Sequence, residues 1–108
     1  MEVLYYFMDE KGKFKREVRE IEDKLEIYQE LVDGHIEVYQ FTDDLIIICD
    51  EEAKLKEKQV LALVSNQYSQ RLEPIAGNFI VCRIDEEDFA GLNISTDLEV
   101  INSMVIPL

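Results

Sequence analysis

The stretch Leu45-Ile46-Ile47-Ile48-Cys49 places five consecutive apolar residues near the middle of the chain. A short continuous apolar run rich in β-branched residues is typical of a strand that is buried on both faces. Thr42-Asp43-Asp44, immediately before it, has the composition of a turn, and His35 to Phe41 alternates loosely between polar and apolar residues. The sequence therefore predicts a β-hairpin whose second strand lies at the centre of a sheet.

A helix is expected just before this hairpin. Asp23 and Glu26 have the spacing of a capping box, and Gly34 ends the pattern. The apolar residues between them recur at intervals of three and four: Leu25, Tyr28 and Val32. On a helical wheel the acids gather on another side: Glu26, Glu30 and Asp33. We therefore predict a helix with one packed face and one acidic stripe.

Further elements are predicted towards both ends of the chain. Val3 to Met8 is aromatic and β-branched, which is typical of a strand. Asn78 to Ile84 lacks alternation and is interpreted as a strand buried on both sides. Thr96 and Glu99 have capping-box spacing ahead of apolar residues at helical intervals, so we predict a C-terminal helix that ends near Pro107.

Two segments stay ambiguous at this level. Residues 14–22 are basic and irregular, and they fit either a short extended segment or the start of a helix. Residues 59–72 fit a helical turn or a short strand equally well. The order of the clearer elements predicts an α+β fold, a single small domain over residues 1–108 with a mostly antiparallel sheet of about four strands covered by two helices.

The composition indicates a folded chain with an unusually large negative charge. The 108 residues are 47% hydrophobic and carry a formal net charge of −13, beyond the magnitude of about 2 to 8 usual in a small domain. No stretch approaches the roughly 18 apolar residues of a membrane span, and the N-terminus lacks the features of a signal peptide. We therefore expect a cytoplasmic protein without membrane contact. Direct nucleic-acid binding is not expected, because this charge repels phosphate.

The negative charge is concentrated in two parts of the chain. Residues 20–52 carry one basic and twelve acidic groups, and residues 85–108 carry six acidic groups and no basic one. Residues 1–19 and 53–84 have small positive charges of +1 and +3. Solubility is the simpler explanation of such acidity. The functional explanation is a face that binds a basic partner, with the candidate residues Glu26, Glu30, Asp33, Asp43 and Asp44.

Several short motifs resemble one family. Glu26 to Val38 resembles the "LQ-x-LV-G-G-x-IE-x-V" signature of a bacterial and phage family, the domain of unknown function numbered three-eight-four-six. Asp50 to Leu55 is similar to its "NEEGKL" turn, and Ile75 to Val81 is similar to its "I-x-G-x-x-VV" strand entry. The resemblance extends over roughly residues 1–101.

This chain departs from the family pattern at three positions. Asp33 and Ala53 stand where the family has glycine, and Gln67 stands where it usually has arginine. A role that the basic side chain plays elsewhere in the family therefore does not transfer to this chain. The resemblance implies a genomic setting among phages and conjugative or integrated elements, and it supplies no activity, catalytic residue or ligand.

Few residues have catalytic potential. Cys49 and Cys82 each lie in an apolar run, so buried thiols fit better than a disulfide or a metal pair. His35 is the single histidine, and we favour a solvent-facing imidazole over a catalytic base or a dyad with Cys49. The acidic runs lack EF-hand spacing and are interpreted as solvated turns: Asp43-Asp44, Asp50-Glu51-Glu52 and Asp85-Glu86-Glu87-Asp88. We predict no catalytic residue, metal site or cofactor.

Two functional hypotheses follow. The leading one is a non-enzymatic accessory protein of a phage or mobile element that acts through contact with another protein. The alternative is an acidic, phosphate-mimicking inhibitor of a host nucleic-acid-binding protein, such as a restriction enzyme or nuclease. Carboxylates roughly 5 to 6 Å apart on a helix approach the spacing of phosphates along a strand. An enzyme is the least supported class, and the sequence leaves the partner's identity and a homo-oligomer open.

Overall fold

The computed structural model describes residues 1–108 and contains nine strands and two helices. The strands are β1 (Glu2–Met8), β2 (Phe14–Glu20), β3 (Ile36–Gln40), β4 (Leu45–Asp50), β5 (Val60–Asn66), β6 (Ser69–Ala76), β7 (Phe79–Asp85), β8 (Asp88–Ala90) and β9 (Val105–Pro107). The helices are α1 (Leu25–Val32) and α2 (Ile94–Met104). Neither of them is long and apolar enough to cross a membrane.

The strands form two antiparallel sheets. The larger sheet has the order β2-β1-β7-β4-β3, with β8 paired to β7, and the smaller sheet has the order β6-β5-β9. Helix α1 covers one face of the larger sheet, while the smaller sheet and α2 cover the other. All six residues of β4 are buried as a result, which confirms the central strand predicted from the apolar run.

Alternate side chains of β4 enter two separate cores. Ile46 and Ile48 pack against Tyr28 and Val32 of α1, whereas Ile47 packs towards the smaller sheet and α2. Full burial of an isoleucine side chain stabilises a fold by roughly 1.5–3 kcal/mol, so this strand contributes heavily to both layers. Strand β7 has the same two-faced burial over residues 79–82, which confirms the central part of the buried strand predicted over residues 78–84, whereas Asn78, Arg83 and Ile84 are only half-buried.

The predicted α+β class is confirmed, but the predicted number of strands is wrong. Residues 14–22 contain the edge strand β2, which pairs with β1 along its whole length. Residues 59–72 contain β5 and the first part of β6 rather than a helical turn. Edge strand β2 carries mostly polar and exposed side chains, and the first four residues of edge strand β6 are exposed, so neither segment produces a clear apolar pattern in the sequence.

The predicted helix ends also need correction. Helix α1 begins after Lys24 without a side-chain cap, and Asp23 instead accepts a hydrogen bond from the Tyr28 hydroxyl. Leu25, assigned to the packed face, is 52% exposed. Helix α2 begins after Asn93, so Thr96 is no cap. It ends at Met104, because residues 105–107 pair with β5 as strand β9.

Candidate functional site

The five acids of the predicted interaction face are all exposed, but they form two groups. Glu26, Glu30 and Asp33, here called the α1 group, lie on the outer side of α1 and at its C-terminal end. Asp43 and Asp44, here called the turn group, lie in the turn between β3 and β4. Strand β3 runs between the two groups for five residues, which is roughly 15 Å of extended chain. The structure therefore does not bring the five residues into one patch.

Neighbouring side chains hold both carboxylates of the turn group. Asp43 accepts hydrogen bonds from Gln67 Nε2 and from the Tyr68 hydroxyl, each at 2.7 Å. Asp44 lies 3.5 Å from the guanidinium of Arg83. The hydrogen bond to Asp43 raises the pKa of Tyr68. The contacts of Asp43 connect the β3–β4 turn of the larger sheet to the β5–β6 turn of the smaller one, and the contact of Asp44 connects the same turn to β7.

The negative charge of the α1 group is less neutralised by neighbouring side chains. Glu26 and Glu30 form no ion pair in the structure, and they lie one helical turn apart, with about 5 to 6 Å between Cβ atoms. Asp33 adopts a left-handed conformation with φ 56°, and its side chain is 91% exposed, 3.8 Å from Lys58 Nζ. The outer face of α1 thus presents two unpaired carboxylates next to the exposed side chain of Leu25.

Asp50 is an acid whose position was not predicted. The sequence predicts a solvated turn at this position, but the side chain of Asp50 is fully buried at the end of β4. The carboxylate accepts hydrogen bonds from Lys58 Nζ at 2.8 Å, Lys56 Nζ at 2.9 Å and the Glu52 N–H at 3.0 Å. Burial alone would raise its pKa, but these hydrogen bonds outweigh it and lower the pKa of Asp50 to about 2.

The two lysines also stabilise the C-terminal end of α1. Both ammonium groups donate to the carbonyl oxygen of Asp33, at 3.3 Å from Lys56 and 2.8 Å from Lys58. Lys58 donates to the Val32 carbonyl as well, at 3.1 Å. The helix has no basic residue in its own last turn, so these side chains supply the positive charge that a helix C-terminus favours. We call this arrangement the Asp50 cluster: Asp50, Lys56, Lys58 and the C-terminal carbonyls of α1.

Two glycines fit closely against the Asp50 cluster. A Cβ atom on Gly34 would lie 2.5 Å from the carboxyl carbon of Asp50. A Cβ atom on Gly77, whose φ is 76°, would lie 2.8 Å from Cδ of Lys58. Three segments that carry the family resemblance, around residues 34, 50 and 77, therefore meet at this cluster. The sequence does contain a signal for this cluster: an acid stands at the end of a wholly apolar run and is followed by lysines.

Shallow depressions border the Asp50 cluster. One of about 200 Å³ is lined by Lys58, Asn78 and Gly77 among others. A second, more open one contains His35, Gln29 and Lys56 and no cysteine, serine or threonine. His35 is exposed, as predicted, and its backbone carbonyl accepts a hydrogen bond from the Glu51 N–H.

Both thiols are buried, which confirms the prediction for Cys49 and Cys82. They lie in different cores, on opposite faces of the larger sheet, so they do not form a pair. Burial raises the pKa of each thiol to about 12. A thiolate is the reactive form of cysteine, so neither side chain is activated as a nucleophile in this structure.

Comparison with known protein families gives one result. Residues 4–101 match the family described as Domain of unknown function (DUF3846). The matched range includes the whole Asp50 cluster and all five residues of the predicted acidic face. No curated protein and no solved structure matches the chain.

Proposed function

The chain belongs to the DUF3846 family of domains of unknown function, and from this premise we propose that it acts through contact with another protein. The role that fits best is a non-enzymatic accessory protein of a phage or another mobile element, working in the cytoplasm. One observation carries the proposal. Glu26 and Glu30 stand exposed and without a basic partner on a helix whose opposite face is packed on the larger sheet.

The contrast with the other polar groups supports this choice. The carboxylates of Asp43, Asp44 and Asp50 are engaged by neighbouring side chains, and both thiols are buried in cores. The carboxylates of Glu26 and Glu30 are not bound by neighbouring side chains. Like charges four residues apart destabilise a helix by roughly 0.2–0.5 kcal/mol. A basic partner surface would remove that repulsion on binding. Exposed Leu25 adds apolar area beside the two charges.

The phosphate-mimicking inhibitor is the second candidate. The spacing of Glu26 and Glu30 along α1 favours it, because successive helical turns place carboxylates at intervals similar to those of phosphates. The division of the acids into the α1 group and the turn group weakens it, since a long row of phosphates needs more than two free carboxylates. We therefore prefer contact with a basic protein surface that need not be a nucleic-acid site.

A binding experiment with matched charge variants tests the proposal. The test variant is Glu26→Gln with Glu30→Gln, and the control is Glu86→Gln with Glu87→Gln, which removes the same charge from the exposed turn between β7 and β8. Proteins captured from a bacterial lysate by the unaltered chain are compared with those captured by each variant. We expect a captured partner to be lost with the α1 variant and kept with the control.

The outcomes separate the candidate explanations. Equal capture by all three proteins contradicts a role for the α1 group. Equal loss with both variants indicates that only overall charge matters, as the solubility explanation requires. A partner that is lost with the α1 variant and is also displaced by added duplex DNA supports the phosphate-mimicking inhibitor. A partner that DNA does not displace supports the preferred function.

A further inference from the structure

Strand β2 forms an open edge of the larger sheet. Its seven residues pair with β1 on one side only, so the backbone groups on the other side have no strand partner. Its C-terminal part reads Arg16-Glu17-Val18-Arg19-Glu20, in which Arg19 is half-buried and Val18 at the centre is 50% exposed. An unpaired edge of this length is a template for pairing with another strand.

We propose that β2 pairs antiparallel with β2 of a second copy of the chain, with the two Val18 residues opposite each other at a two-fold axis. In this register Glu17 faces Arg19 of the other copy, and Arg16 faces Glu20. Symmetry repeats each pair, so four pairs of opposite charge surround the two valines. Directly opposite residues in an antiparallel pair lie about 4.5–5.5 Å apart at Cβ, close enough for these charges to attract.

Charge also selects this register over its neighbours. A register centred on Glu17 places Glu17 against Glu17 and Lys15 against Arg19, both pairs of like charge. A register centred on Arg19 places two arginines opposite each other. Like charges directly opposite are destabilising, so the Val18 register has the best match of these three. The sequence around Val18 is thus complementary to itself when reversed.

Side chains of the same chain already contact both arginines of β2. The guanidinium of Arg19 is ion-paired with Glu17 of the same strand and lies 4.6 Å from the ring centroid of Tyr5 on β1. Arg16 on the other face of the strand donates a hydrogen bond to Asn102 of α2. Because Glu17 already pairs with Arg19 within one strand, association adds a second arginine to each Glu17 carboxylate, and the contact of Arg19 with Tyr5 lowers the entropy that ordering this arginine costs.

The other two long edge strands, β3 and β6, lack this property. Pairing β3 with itself around Val38 places Glu37 against Tyr39, which gives no charge match. Strand β6 contains Pro74, which has no backbone N–H to donate. In addition, β2 itself carries three basic and two acidic residues, a net charge of +1, although the whole chain carries −13. The strand that forms this edge therefore adds no negative charge to the contact between two acidic copies. The dimer joins the two larger sheets into one continuous sheet, and it does not depend on the α1 group.

Sedimentation velocity across a wide concentration series tests the dimer. We expect the unaltered chain to shift from its protomer mass of 12.7 kDa to twice that value as concentration rises. Glu17→Arg places two arginine pairs opposite each other and should weaken association about tenfold or more. Glu17→Arg combined with Arg19→Glu exchanges the charges, restores every pair and should restore the dimer.

Control variants test whether association depends on the Val18 register rather than on net charge or on folding. Glu10→Arg makes the same charge change in the exposed β1–β2 turn and should leave association nearly unchanged. Circular dichroism checks that each variant is folded, and Val18→Lys supplies an independent disruption at the axis. A protomer mass at every concentration overturns the proposal. So does a dimer that Glu17→Arg leaves intact, or one that Glu10→Arg weakens equally. A strand of another protein bound at β2 in place of a second copy also overturns it.

Discussion

The acidic side chains of the Asp50 cluster and of the α1 group have opposite environments within one domain. Asp50 is fully buried, and two lysine ammonium groups lie within 2.9 Å of its carboxylate. Glu26 and Glu30 are exposed and form no ion pair. The lysines of the cluster hold the C-terminal end of the same helix that carries the two glutamates.

This difference teaches that a run of acids in sequence does not reveal the role of each member. Asp50, Glu51 and Glu52 are consecutive, yet only Asp50 is buried, because it completes a strand while the next residues leave the sheet. A buried carboxylate is stable only when charged and hydrogen-bonded groups replace its water. An exposed carboxylate keeps its water and interacts weakly with the rest of the chain. The two regions should therefore respond very differently to neutralisation.

The largest effect is expected from Asp50→Asn. The change leaves Lys58, whose side chain is only 19% exposed, without the carboxylate at 2.8 Å and with only the exposed carboxylate of Asp33 at 3.8 Å. Removing one partner of a buried ion pair costs 3 to 5 kcal/mol, and the lower end applies because Lys56 is 40% exposed and regains water. We expect the free energy of unfolding in urea to fall by about 3 kcal/mol. Glu51→Gln, an adjacent exposed position, should change it by less than about 0.5 kcal/mol. Equal losses of stability in Asp50→Asn and Glu51→Gln would contradict the contrast between buried and exposed acids.

Acid should remove the same contribution from the unaltered protein. The pKa of Asp50 falls from its ordinary 3.8 to about 2 on folding, so the folded state favours the charged form. A lowered folded pKa stabilises the protein above the unfolded pKa, and this stability is lost as the pH falls from about 4 through 2. Over that window the stability advantage of the unaltered chain over Asp50→Asn should shrink by roughly 2 kcal/mol. If the difference in the free energy of unfolding between the two proteins stayed constant over this pH range, the prediction would be wrong.

The sequence predicted the parts of the fold that local patterns determine. The apolar run in β4, the two-sided burial of β7, the helix before the hairpin and the buried thiols were all visible in residue order. The sequence leaves β2 and β6 ambiguous, because β2 and the first half of β6 carry mostly polar side chains, and it does not reveal β9, because Val105 and Ile106 fit a helical pattern and only pairing with β5 makes them a strand. The Asp50 cluster combines residues 33, 50, 56 and 58, and only the folded chain shows that they meet.

A smaller effect is expected from Gly34→Ala. The added methyl would overlap the carboxylate of Asp50 at 2.5 Å, and relieving that overlap means displacing a group held by two lysines. Overpacking of this kind typically costs 1 to 3 kcal/mol, and we expect about 1.5 kcal/mol in urea unfolding. In an Asp50→Ala background the carboxylate is gone, so the same change should cost about 1 kcal/mol less. Additive effects of the two changes would show that the close approach is not the cause.

The smallest effects are expected in the α1 group, and there the two glutamates should differ in sign. Glu26 lies in the first turn of α1, where the helix dipole favours negative charge, while Glu30 lies in the last turn, where it does not. Glu30→Gln removes both the repulsion from Glu26 and the unfavourable dipole interaction, so we expect a gain of about 0.5 kcal/mol in the free energy of unfolding. Glu26→Gln relieves the same repulsion but loses the favourable dipole interaction, so its effect should be close to zero or slightly destabilising.

Glu30→Lys should stabilise further, because a glutamate four residues before a lysine is the favourable orientation. Thermal unfolding of the three variants at low ionic strength measures these differences. A clear loss of stability with Glu30→Gln would mean that Glu30 has a favourable partner within the fold, and the contrast with Asp50 would then be one of degree rather than of kind.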